Sequence, residues 1–388
     1  MPTAPVMRPA ATPRHAPAPD DVVKLIDFVS NAERPVILPG RGVVRSDAGQ
    51  PLKAFAERIG ALTATSVQAK NLFADDPFCV GIADGFSSPA AVDLLAQADL
   101  LLAFGCSLTS WTMRMGTLVP EATIVQCDSD PRALGARTSV DHGITADARL
   151  TAEAVLRGLS DQPLVTRYRT TEVRARLAQV ESEPVEPLPT APAGRLDGRS
   201  VIRRLDQEIP SRRSVVVDSG HFMGHPAMHL QEPSRFVFSQ DFQAVGLSLA
   251  GAIGAAVADP TTVTVAVIGD GGLMMSLGEM DTAIRVGLPL LTVVMNDAAY
   301  GAEYHLLDRF GLAVEDNCFP DSDFTSMARA LGAQAATVTS EADLKAVNHW
   351  LRGPDSPLLL DCKIDPSVMA PWFGEVFALK ELQHQHEA

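Results

Sequence analysis

A surplus of positive charge is the first thing this sequence lacks. Its 32 lysines and arginines are outnumbered by 47 aspartates and glutamates, for a net charge of −15. Such a chain repels a phosphate backbone or an anionic bilayer surface, which argues against nucleic-acid and membrane partners. Long apolar runs are missing as well: none approaches the roughly 20 residues needed to span a bilayer. The opening 20 residues, with six prolines, have no apolar centre of the kind a secretion signal needs. Cysteine is scarce, odd in number and scattered (Cys79, Cys106, Cys127, Cys318, Cys362), with no CxxC pair. That excludes a disulfide framework and a zinc site, so the thiols read as small buried hydrophobes of a reducing cytoplasm. There is no internal repeat and no complete GxGxxG fingerprint.

What is present is an ordinary globular composition, 46% hydrophobic and 20% charged, on a chain of 388 residues, room for two or three domains. Two proline-rich stretches punctuate it: residues 1–20, read as a disordered tail, and residues 181–197, read as an extended linker. Between and after them lie blocks 21–180 and 198–388. The first alternates apolar runs (35–38, 99–104, 122–127) with helical patterns such as 51–59; the second has runs at 214–217, 235–238, 262–268 and 290–295. Runs that are apolar at every position mark parallel strands covered on both faces, and their alternation with helices predicts an α/β protein of two doubly wound, Rossmann-like domains with mainly parallel sheets. Gly40 and Gly42 after the first run form a glycine turn, read more readily as a tight strand-to-loop turn than as a nucleotide site.

The chemistry concentrates in residues 261–301. A β-branched strand breaks at Gly269-Asp270-Gly271-Gly272; Ser276 and Glu279 have the spacing of a capping box, predicting a helix that starts there; Gly287 and Pro289 end it; and a second strand ends at Asn296-Asp297. A right-handed crossover brings both acidic ends to one carboxyl edge, where open α/β sheets bind ligands. Two carboxylates with backbone carbonyls nearby form an oxygen-only site suited to Mg²⁺, and Gly271 and Gly272 let backbone N–H groups come close to a diphosphate.

The pattern Gly269-Asp270-Gly271, a crossover, then Asn296-Asp297 resembles the thiamin-diphosphate motif of the acetolactate-synthase-like superfamily, and the resemblance extends over nearly the whole chain: block 21–180 looks like that family's central domain and block 198–388 like its diphosphate-binding domain. It implies that Asp270, Asp297 and the Ala299 carbonyl ligate Mg²⁺, although Asn is commoner than Asp at the second position. It implies that Gly220, His221, Val245, Gly269, Gly271, Gly272, Tyr300 and Gly301 line the thiamin diphosphate site, with Val245 either the apolar wedge under the cofactor or plain core. Relatives carry Gly-Gln-His-Gln in the loop where this chain has Ser219-Gly220-His221-Phe222. His221 and Glu303 are the candidate catalytic residues. His225 and His229, spaced at four from His221, are expected to be structural or exposed, because Pro226 argues against a single helix carrying a metal stripe. A bound flavin is not expected, since the stretch with Trp111 and Arg114 lacks the flavin-dependent signature.

Family members also have a pyrimidine-binding domain that supplies an activating glutamate, and no glutamate precedes Glu33 here. The expectation is a subunit of a two-component carboligase or transferase. It would act on a 2-keto acid, passing the fragment left after loss of CO₂ to a second carbonyl or acyl donor, with a partner chain carrying the pyrimidine-binding domain in an α₂β₂ assembly. The alternatives are a 2-keto acid decarboxylase subunit, a regulatory relative that binds thiamin diphosphate without turnover, and a flavin or nucleotide protein of Rossmann type.

Overall fold

Strands that are apolar at every position belong in the middle of a layer, and the computed structural model puts them there. It describes residues 13–159, 165–182, 192–231, 235–238 and 243–378. Residues 1–12 and 183–191, most of the expected tail and linker, lie outside the described residues. The chain divides into two units, Met1–Glu181 and Ser182–Ala388.

In the first unit the elements run α1 (Pro19–Asn31), β1 (Pro35–Pro39), α2 (Arg41–Ser46), α3 (Gly49–Ile59), β2 (Leu62–Thr65), β3 (Cys79–Ile82), α4 (Pro89–Ala96), β4 (Leu100–Phe104), β5 (Thr123–Asp128), β6 (His142–Thr145), α5 (Ala148–Gly158) and α6 (Thr171–Ser182). The sheet is parallel, in the order β3-β2-β1-β4-β5-β6. Helix α1 starts at Pro19, with proline in the first turn where its missing N–H costs nothing. The His15 carbonyl accepts from Asp147 N at 2.8 Å, so the packed chain reaches back into the stretch read as a tail. Buried side chains form one cluster on each face of the sheet, Leu52, Phe55 and Phe104 among one set, Leu62, Leu95 and Leu101 among the other.

The second unit runs α7 (Gly198–Glu208), β7 (Arg213–Val217), α8 (Gly224–His229), β8 (Arg235–Phe238), α9 (Ser248–Ala258), β9 (Val263–Gly269), α10 (Asp270–Ser276), α11 (Glu279–Val286), β10 (Leu290–Asn296), α12 (Gly301–Arg309), α13 (Phe324–Leu331), β11 (Gln334–Val338), α14 (Ala346–Trp350) and β12 (Leu358–Lys363). Its sheet is also parallel, ordered β11-β12-β10-β9-β7-β8. Strands β7 and β10 are buried at every residue. The chain direction across the sheet reverses between β7 and β9, and ligands of doubly wound sheets bind at the carboxyl side of such a reversal.

Two expectations are corrected. The helix after β9 begins at Asp270, not after a loop: Gly269 is the extended residue before it, and Gly271 and Gly272 sit in its first turn, where free N–H groups are normal. Ser276 therefore ends α10, its hydroxyl donating to Gly272 O at 3.0 Å, and it forms no capping box with Glu279. Gly287 does end α11, in the left-handed conformation (φ 67°). Among the thiols, Cys106, Cys127 and Cys362 are buried, but Cys318 is exposed and is no core residue. No helix among the described residues is long and apolar enough to cross a membrane.

Candidate active site

Three strand ends meet at the reversal point of the second sheet. The chain leaving β7 carries Asp218, Gly220 and His221; β9 delivers Gly269 and Asp270; β10 delivers Asn296 and Asp297. Because β7, β9 and β10 are neighbours, groups distant in sequence share one edge. His221 and Asp297, 76 positions apart, lie with Nε2 and Oδ2 at 3.0 Å, and both are buried.

Asp270 is only 2% exposed. Its Oδ1 accepts from Gly271 N at 2.8 Å, while Oδ2 has no hydrogen-bond partner. Burial, and then the charge of Asp297, push its carboxyl up to about 7. An orphaned carboxylate oxygen next to a second carboxylate is an arrangement that protein groups alone leave unfavourable, and a divalent cation resolves it. The donor set is all oxygen, which suits Mg²⁺ completed by water and phosphate oxygens. The residues present therefore fit the metal that their spacing predicts.

The Asp297 loop turns on Ala298, a non-glycine residue in the left-handed region (φ 58°). The Asn296 Oδ1 accepts from Ala298 N at 3.2 Å, and Asp297 Oδ1 accepts from Ala299 N at 3.3 Å. On its outer side the loop is clamped by residues 317–319: Tyr300 N donates to Asn317 O at 2.9 Å and Phe319 N to Ala298 O at 3.0 Å. Ala299 is buried. Gly301 opens α12 where no side chain fits: a Cβ there would stand 2.4 Å from Asp297 Oδ2 and 2.5 Å from His221 Nε2. The His221–Asp297 contact therefore depends on a glycine at 301.

Around this centre, Tyr300 is 40% exposed and stacks edge-on against Phe319, with its ring over the Gly271 Cα. Val245 is 42% exposed and its Cγ1 approaches the Gly272 backbone, so it is not plain core in this chain. Glu303 is exposed on α12 and makes no hydrogen bond or ion pair with Asp270, Asp297 or His221. His225 is buried and its pKa falls well below the usual range through burial; its ring stacks on that of His229. Both lie on α8, whereas His221 sits on the turn before it.

Two further residues bear on this centre. His305 packs its ring 4.9 Å from that of His221, is buried, and is held down to about 4 by burial and then by His221. The Nδ1 of His221 and the Nε2 of His305 have no partners. Asp218 accepts from Gly246 N at 2.8 Å, tying the end of β7 to the turn that carries Val245. The signal for Asp218 was its place at a strand end beside glycine; that for His305 was its place just after the Asp297 loop, at the mouth of the site, although its contact with His221, 84 residues earlier, left no local pattern.

Comparison with known proteins bears on this edge directly. Residues 22–155 match the family described as thiamine pyrophosphate enzyme, central domain. Residues 218–362 match the one described as thiamine pyrophosphate enzyme, C-terminal TPP binding domain. Similar curated proteins include a sulfoacetaldehyde acetyltransferase of Alcaligenes xylosoxydans xylosoxydans, 29% identical across 82% of this chain and 58% of its own length. A probable acetolactate synthase large subunit of Methanocaldococcus jannaschii is 26% identical across 94% of this chain and 63% of its own length. The acetolactate synthase large subunit of Parasynechococcus marenigrum is 26% identical across 90% and 58%. The chain thus spans about three-fifths of the length of these relatives.

Proposed function

The chain belongs to the thiamine pyrophosphate enzyme family, and from that premise we propose that it is the diphosphate- and Mg²⁺-binding component of a cytoplasmic transferase acting on a 2-keto acid. The fragment left after loss of CO₂ would pass to a second carbonyl or acyl acceptor. The observation that carries this reading is the buried, unpartnered Oδ2 of Asp270 beside Asp297 at the sheet's reversal point. Transfer is favoured over simple decarboxylation because the names of the relatives denote a synthase and an acetyltransferase.

Asp270, Asp297 and the Ala299 carbonyl would hold Mg²⁺, and Gly271, Gly272 and the Gly220–His221 turn would face the diphosphate. Bound thiamin diphosphate supplies an electron sink for the bond that breaks next to the keto group. The chain's own contribution is placement. Val245 offers an exposed apolar surface next to Gly272 on which a ring can rest. His221, fixed by Asp297, keeps an unpaired Nδ1 for a hydrogen bond to cofactor or substrate. Tyr300 and Glu303 lie at the start of α12, where they would border the entrance. Burial of Asp270, Asp297 and His221 strengthens their interactions by excluding water.

The site is rimmed by apolar side chains turned to solvent: Val245, Leu247 (55% exposed), Met274 (47%), Met275 (60%) and Tyr300. Exposed apolar residues gathered about a polar crevice mark a surface that another body covers. We assign that cover to a pyrimidine-binding domain on a separate chain, in an α₂β₂ assembly, which would also bring the activating glutamate.

The test is copurification of the partner, then assay of Asp270→Ala and Asp297→Ala in the reconstituted complex, with calorimetry of thiamin diphosphate binding with and without Mg²⁺. Each variant is expected to lose Mg²⁺-dependent binding and to lower turnover by orders of magnitude, because one carboxylate no longer balances the metal and diphosphate charge. Full activity in both variants would sink the assignment.

A further inference from the structure

We propose that a cluster of four charges behind the site, Asp361, Lys363, Asp321 and Arg195, is the positioning device of the metal-binding loop and acts on it through Asn296. The inference rests on the reading of Asp297 as a metal ligand.

Asn296 is fully buried at the last position of β10. Its Nδ2 donates to Asp361 Oδ1 at 2.8 Å. Asp361 lies on β12 and is itself fully buried. An ionised carboxylate can only accept, so it dictates which way the Asn296 amide faces: NH₂ toward Asp361, and Oδ1 toward the loop, where it accepts from Ala298 N. This is a charge-assisted contact, among the stronger kinds of hydrogen bond. The turn it holds needs holding. Ala298 has a left-handed backbone that is unfavourable for a residue with a Cβ, and on either side of it stand Asp297 and Ala299.

The remaining members join Asp361 to its surroundings. Lys363 Nζ lies 2.9 Å from Asp361 Oδ2, pairs with Asp321 Oδ1, and donates to Ser322 O at 2.9 Å. Arg195 Nη2 donates to Asp321 Oδ2 at 2.9 Å; its Nη1 reaches Ile364 O at 3.0 Å and Asn296 O at 3.3 Å. Two carboxylates and two cations make the cluster neutral. Through it, β12, the arm ending at Ser322 and the chain entering α7 all bear on one asparagine. Buried ion pairs are poor sources of stability compared with well-packed apolar groups. What this one provides is a fixed negative acceptor that sets the geometry of a ligand loop.

The probe is Mn²⁺ binding to the full chain in the presence of thiamin diphosphate, followed by electron paramagnetic resonance of the free ion, with circular dichroism as the check on folding. Asp361→Asn and Asn296→Ala are each expected to weaken Mn²⁺ about tenfold or more, the usual scale for groups that orient metal ligands. Since both act through one amide, the double variant should bind no more weakly than Asn296→Ala alone. Arg195→Gln, at the partly exposed end of the cluster, is expected to fold and to weaken Mn²⁺ several-fold. A cluster that is merely structural would lower the melting temperature of these variants and leave Mn²⁺ affinity unchanged, or would give additive effects; either result overturns the inference. Asp270→Ala separates the two readings: if it binds Mn²⁺ as the native chain does, the metal assignment itself fails and the positioning role goes with it.

Discussion

A carboxyl group hidden from water tends to keep its proton, and this chain places such groups at strand ends in both units. Asp270 has a reason to be there, a cation being able to take its charge. Asp84, just past β3, is fully buried and pushed up to about 7 by burial, with amide N–H groups and the Arg114 charge only partly offsetting it. Its Oδ1 accepts from Phe86 N at 2.7 Å, while Oδ2 is unpartnered. The folded pKa lies above the unfolded one, so the folded state holds this proton more tightly. Stability from this group is therefore full below about pH 4 and is lost as pH rises toward 7, by on the order of 4 kcal/mol. Asp84→Asn keeps the acceptor for Phe86 and cannot ionise. Urea unfolding should find it more stable than the native chain at pH 8, with the advantage gone near pH 4; parallel pH profiles for the two proteins would refute this account.

At the level of elements, the strands that carry the site were the legible ones. β9 and β10 are apolar at nearly every position and β7 over its last three, and all end at acidic or glycine-rich turns, so pattern and punctuation agree. β2, with the sequence LTAT, and β6, with HGIT, carry no apolar run; β2 is buried between β1 and β3, and β6 is an edge strand held by its pairing with β5. The start of α10 was misplaced because glycine reads as a breaker, although a helix's first turn tolerates it where backbone N–H groups must stay open. The charge cluster was invisible for a different reason: its members come from positions 195, 321, 361 and 363, and no local pattern joins them. In the first unit, the ends of β1 and β4 meet backbone to backbone. Gly40 N donates to Phe104 O at 2.9 Å and Gly42 N to Gly105 O at 3.0 Å, so the glycine turn serves close packing, the plainer of its two sequence readings. At Gly105 (φ 52°) a Cβ would stand 2.6 Å from Gly42 Cα. Gly105→Ala is expected to destabilise this unit by about 2 kcal/mol or more, read as a lower unfolding midpoint in calorimetry.

For the molecule as a whole, the decisive surface is the apolar rim of the site. Met275 is its most exposed member and contributes nothing to the metal loop, so Met275→Lys should leave the melting temperature within a degree or two and cut retention of the partner chain in a pull-down. Equal retention would remove the rim from the interface. Methionine at two adjacent rim positions has a further consequence, which concerns sulfur chemistry. A thioether open to solvent takes up one oxygen from peroxide and becomes a polar, chiral sulfoxide, and reductases reverse the change. At Met274 and Met275 that conversion would wet the surface to which we assign the partner chain. The oxidative state of the cell would then set how much of the enzyme is assembled while leaving the chemistry of the centre untouched, and brief peroxide treatment of the free chain should reproduce the loss of partner seen with Met275→Lys.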